Sequence, residues 1–63
     1  MIIYLVAWTG GYEQPAFAFH ADESLARETF EDWQSQVQVE VGDRVDLIRH
    51  DTSTGSVETI EVA

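Results

Sequence analysis

The stretch Ala21–Val37, Ala-Asp-Glu-Ser-Leu-Ala-Arg-Glu-Thr-Phe-Glu-Asp-Trp-Gln-Ser-Gln-Val, decides the fold. Asp22 is a residue type that caps free backbone N–H groups, and Glu23 behind it suits the positive end of a helix dipole. Ala26, Phe30, Trp33 and Val37 then recur at helical spacing and make one apolar stripe. The opposite side carries Glu23, Glu28, Glu31 and Asp32. Arg27 stands one turn from both Glu23 and Glu31, an attractive spacing, whereas Glu28 and Asp32, also one turn apart, repel. A helix with one apolar stripe must lie on something, and the flanking sequence supplies strands.

Toward the N-terminus, Ile2 to Trp8 is rich in branched and aromatic residues, and Pro15 to His20 alternates Phe17 and Phe19 with Ala16 and Ala18. Both read as strands. Thr9-Gly10-Gly11-Tyr12-Glu13-Gln14 between them supplies glycines able to take positive φ, so the two strands form a hairpin with a longer loop. Toward the C-terminus, Val37-Gln38-Val39-Glu40-Val41 alternates like a strand while Val37 also completes the helical stripe, which leaves that boundary open. Gly42 and Asp43 make a turn, Arg44 to His50 a strand, Asp51 to Gly55 a turn and Ser56 to Val62 the last strand. The order strand-strand-helix-strand-strand predicts an α+β fold: a four-stranded antiparallel sheet with one helix packed on one face, a single domain over residues 1–63.

In the final hairpin, setting Asp51 opposite Ser56 places Arg49 across from Glu58, Leu47 from Ile60 and Val45 from Val62. Every pair on that face is apolar or oppositely charged. The same register sets Asp46 across from Glu61 on the reverse face, a destabilising opposition of like charges. One helix covers one face only, and the first strand is apolar on both: Ile2, Tyr4, Val6 and Trp8 against Ile3, Leu5 and Ala7. Tyr4 and Trp8 are therefore expected on the uncovered face, as a surface for a homodimer or another partner.

A chain of 63 residues without cysteine builds one thin core and no disulfide framework or thiolate metal knuckle. Its apolar start lacks a basic leader and is too short to cross a bilayer, so it reads as a buried strand; the absence of cysteine fits a cytoplasmic setting, and the acidic charge disfavours a membrane partner. Twelve Asp and Glu face three Arg and no Lys, for a net charge of −9. Such a surface repels phosphates, so direct nucleic-acid binding is disfavoured and a basic partner favoured. The same acidity also serves solubility.

Catalysis has little to stand on. His20 and His50 are the general-base candidates nearest neutrality. His20-Ala21-Asp22 and His50-Asp51 match no ligand spacing, and Ser24, Ser35, Ser53 and Ser56 sit in no elbow or triad-like context. Gly10-Gly11 is too short to cradle phosphate. No catalytic residue, metal or cofactor is expected.

Two functions remain. Carboxylates about 5–6 Å apart on a helix and about 6.6–6.8 Å apart along a strand approach phosphate spacing. Glu23, Glu28, Glu31 and Asp32 on the helix, or Asp43, Asp46, Asp51 and Glu61 at the sheet edge, are thus expected to fill the cationic groove of a nucleic-acid-binding protein. The size, acidity and element order resemble those of small phage and mobile-element proteins, among them anti-CRISPR and anti-restriction inhibitors that act as DNA mimics. That resemblance carries no signature motif and no site residue; it implies a non-enzymatic inhibitor of a host defence complex, working in the host cytoplasm. The alternative is a structural or regulatory module that dimerises through the open sheet face.

Overall fold

Branched and aromatic residues fill strand β1 (Ile2–Thr9), which pairs on both sides within a four-stranded antiparallel sheet of order β2-β1-β3-β4. β2 spans Ala16–His20, β3 Arg44–Asp51 and β4 Ser56–Val62, with helix α1 (Glu23–Gln34) between β2 and β3 in the chain. The structure, a computed structural model, describes residues 1–10 and 15–62, the side chain of Val39 excepted. The expected loop positions Gly11, Tyr12, Glu13 and Gln14 lie outside the described residues. The fold is α+β in the expected order. Among the described residues no helix is long and apolar enough to cross a membrane.

Asp22 opens α1 from an extended backbone, and its Oδ1 accepts the Ser24 N–H at 2.7 Å. At the other end the Ser35 hydroxyl donates to the Asp32 carbonyl at 2.7 Å, a local bond that competes with continuing the helix. Ala26 and Phe30 seat between these ends on Val6, Val45 and Leu47, and these five residues form the buried cluster. Trp8 and Trp33 extend it, with ring centroids 5.9 Å apart and planes tilted by 48°. Such a tilted pair adds about 0.5–1.5 kcal/mol beyond the area it buries.

The segment after α1 is neither strand nor further helix. Val39–Val41 forms a 3₁₀ turn, and the Gln38 carbonyl accepts from Val41 N at 3.2 Å and Asp43 N at 3.3 Å. Asp43 Oδ2 in turn accepts the Gln38 N–H at 3.2 Å. The strand-like alternation of valines is overridden because this backbone bonds locally, so the sheet offers it no ladder. Val37 still packs against the core from beyond the helix.

Two expectations are corrected. Tyr4 and Trp8 lie on the helix side with Val6, packed against the core, and are not on the open face. The β1–β2 register explains why: Trp8 stands opposite Ala16 and Val6 opposite Ala18, so small β2 residues leave room for α1 above large β1 residues. The β3–β4 register also departs from the regular one. It holds from Asp51↔Ser56 through Arg49↔Glu58 to Ile48↔Thr59, then shifts at a bulge so that Leu47 faces Glu61 and Asp46 faces Val62. Ile60 is the extra residue. A bulge turns two successive side chains to one side, and Ile60 accordingly packs on the core while Glu61 reaches Arg27 of α1. The shift removes the Asp46–Glu61 opposition that a regular ladder would impose.

Gly10 ends β1 at φ +86° beside the Gly42 backbone, and a Cβ there would run into the Gly42 carbonyl oxygen. Gly55 has φ +76°, but open space surrounds its Cβ position. Gly10→Ala is therefore expected to destabilise by well over about 1 kcal/mol, and Gly55→Ala by distinctly less, because only Gly10 adds a backbone collision to the φ penalty. Denaturant unfolding of the two variants measures the difference.

Candidate functional site

The sheet holds the two histidines apart. His20 belongs to the helix side, where its Nε2 and Thr29 Oγ1 are 3.0 Å apart. His50 stands between Ile3 and Val57 on the opposite face. Among the described residues no three His, Asp or Glu side chains gather as metal ligands. The expected carboxylates, by contrast, fall into distinct environments.

On α1, Glu28, Glu31 and Asp32 are exposed, and none has an ion-pair partner among the described residues. Glu28 and Asp32 project opposite the buried stripe of Ala26 and Phe30, with half-exposed Leu25 beside them on the same side. Glu23 differs, because Arg27 Nε donates to it at 2.9 Å while Arg27 Nη1 donates to Glu61 at 2.9 Å. The Arg27 hydrogen bond foremost holds the Glu23 carboxyl below its ordinary range, and the Glu23 and Glu61 bonds raise Arg27. This pairing ties the first turns of α1 to β4. Exposed pairs of this kind contribute little to stability.

The sheet-edge carboxylates are occupied. Asp43, at 9% exposure, is buried in the 3₁₀ turn, so it does not join an exposed acidic surface. Its Oδ1 and the buried Trp8 Nε1 have no hydrogen-bond partner among the described residues. Asp46 accepts from Arg44 Nε at 2.8 Å. Asp51 Oδ1 accepts from Ser53 Oγ at 2.6 Å and Ser53 N at 3.0 Å, closing the turn before β4. Of the eight carboxylates the sequence singles out, Glu28, Glu31 and Asp32 form the group left free by cations, buried contacts and turns.

The open face of the sheet is mainly apolar, its polar residues including Arg44, Asp46, His50 and Thr59. Ile3, Leu5 and Ala7 of β1 share it with Phe17 and Phe19 of β2, Ile48 of β3, and Val57 and Val62 of β4. Phe17 is 56% exposed, Phe19 69%, Val57 65% and Val62 53%. Phe17, Phe19, Val57 and Val62 replace Tyr4 and Trp8 as the uncovered surface, while Ala7 between its neighbouring strands is buried. The signal that distinguishes the two faces is the hairpin register, which sets Ala16 and Ala18 beneath the helix and sends both phenylalanines outward.

Comparison with known protein families, characterised proteins and solved structures returns no match to the chain.

Asp51 yields a test of the turn. Ser53, chiefly through its hydroxyl and then its N–H, lowers Asp51 from an ordinary value of 3.8. A carboxylate lowered on folding stabilises the fold above its unfolded value and loses that effect as pH falls through its folded value. Asp51→Ala should lower the thermal midpoint at neutral pH, and its difference from wild type should shrink in acid below about pH 4. Melts recorded across pH check this; a difference that grows in acid would contradict it.

Proposed function

We propose that this protein is a non-enzymatic binding module whose helix carboxylates imitate the phosphates of nucleic acid and occupy the cationic groove of a nucleic-acid-binding protein. An inhibitor of a host defence complex, of the anti-CRISPR type, is the role that fits. The supporting observation is the distribution of cations. Arg27 is engaged by Glu23 and Glu61, Arg44 by Asp46, and Arg49 stands on β3 opposite Glu58, which leaves Glu28, Glu31 and Asp32 exposed on one helix with no ion-pair partner among the described residues.

That arrangement is unfavourable for the isolated helix. Like charges at i, i+4 cost about 0.2–0.5 kcal/mol, so a partner cation would relieve a repulsion as well as form a contact. Leu25 beside them offers an apolar anchor within a charged rim, a feature protein partners use and free ions do not.

The exposed phenylalanines favour a second reading, a structural or regulatory module that self-associates while the carboxylates keep it soluble. The two readings use different faces and separate cleanly. Immobilised protein incubated with bacterial lysate at low salt should retain a nucleic-acid-binding complex. Rising salt, added duplex DNA, and the triple change Glu28→Lys, Glu31→Lys, Asp32→Lys should each release it, because the contacts are ionic and the groove is shared. Retention indifferent to all three would refute mimicry.

A further inference from the structure

The open sheet face is a different surface from the helix carboxylates, and its chemistry points to a different occupant. Its described polar residues include the uncharged Thr59, His50, and one arginine and one aspartate, Arg44 and Asp46, already bonded to each other at 2.8 Å. The face is therefore electrically neutral in a chain of net charge −9. A basic partner gains nothing there. We infer that a second copy of this chain covers it, sheet against sheet, in a two-fold symmetric sandwich.

Three observations carry the inference. The first is area. Strands of eight, five, eight and seven residues, at about 3.4 Å per residue and about 4.8 Å between strands, make a footprint of about 450 Å² per copy. The pair buries about 900 Å² before side-chain relief is added, which brings it to the roughly 1,000 Å² that a specific interface must clear.

The second is shape. One edge strand presents the large Phe17 and Phe19 and the other the smaller Val57 and Val62. A two-fold axis parallel to the strands lays β2 of each copy over β4 of the other, and in this register Phe19 comes over the smaller, exposed Thr59 of the partner subunit. It sets Leu5 over Ile48 of the partner subunit near the axis and Phe17 over Val62 of the partner subunit at the rim. Aligned sheets of this kind pack about 10 Å apart with interdigitated side chains.

The third is charge. Each helix lies on the far side of its own sheet, so the acidic helices of two copies stand about 30 Å apart, taking about 10 Å per packed layer. The screening length at physiological salt is about 8 Å. Repulsion between the two acidic surfaces is damped at that distance, and apolar burial at the interface prevails.

Sedimentation velocity on the purified chain, from micromolar to hundreds of micromolar, tests this. The expected result is a species of twice 7.1 kDa. Phe19→Lys should raise the dimer dissociation constant about thirtyfold or more, as loss of an aromatic anchor does, while the triple helix reversal at Glu28, Glu31 and Asp32 leaves it unchanged. Should Phe19→Lys fail to fold, cysteine pairing decides instead, because the chain has no cysteine of its own. Mixed Phe17→Cys and Val62→Cys proteins should cross-link to each other faster than either does to itself. A monomer at every concentration, which leaves the face to some other macromolecule, overturns the inference. So does a dimer that Phe19→Lys leaves intact, or cross-linking that favours Phe17→Cys with itself.

Discussion

Phe30 seated with Ala26 on Val6, Val45 and Leu47 is the contact from which the rest of the structure follows. At about 1.5 Å per residue a helix of this length spans about 18 Å, enough to cover one face of a narrow sheet and no more. That single docking decides which side of every strand is interior. It sends Tyr4, Val6 and Trp8 inward, calls for small Ala16 and Ala18 opposite them, and leaves Phe17 and Phe19 facing out. The uncovered apolar face is thus a geometric consequence of having one helix.

The elements were legible in the sequence because each rests on local chemistry. Asp22 caps where its side chain predicts, the apolar positions of α1 repeat at helical spacing, and Gly10, Gly42 and Gly55 all adopt the positive φ their turns demand. The choice of face was not legible, because β1 is apolar on both sides and alternation alone ranks neither. The bulge was hidden for a related reason. A register counted from the Asp51–Ser56 turn assumes one residue against one, and the pairing of Leu47 with Ile60 looked favourable on that count. The structure inserts Ile60 as an extra residue, keeps it on the core, and frees Glu61 for Arg27.

The candidate site was legible in part for similar reasons. An apolar stripe defines its opposite side, so Glu28 and Asp32 could be placed in solvent from spacing alone. Asp43 could not, because Gly42-Asp43 reads as a solvated turn, and only the fold shows its carboxylate turned inward to hold the Gln38 N–H. The result is a division of the surface: unpaired carboxylates on the helix, a neutral apolar field on the sheet. Two surfaces on opposite sides of the molecule, the outer side of α1 and the open face of the sheet, therefore suit chemically different neighbours.

The central claim is that α1 covers the face bearing Val6, Val45 and Leu47 and leaves the face bearing Leu5 and Ile48 free of it. A carbon-edited nuclear Overhauser spectrum of the labelled protein tests it most directly. The account predicts cross-peaks from the Phe30 ring to the methyl groups of Val6, Val45 and Leu47, and none to those of Leu5 or Ile48. Phe30 cross-peaks to Leu5 and Ile48 in place of these would contradict the account and reverse the assignment of both faces.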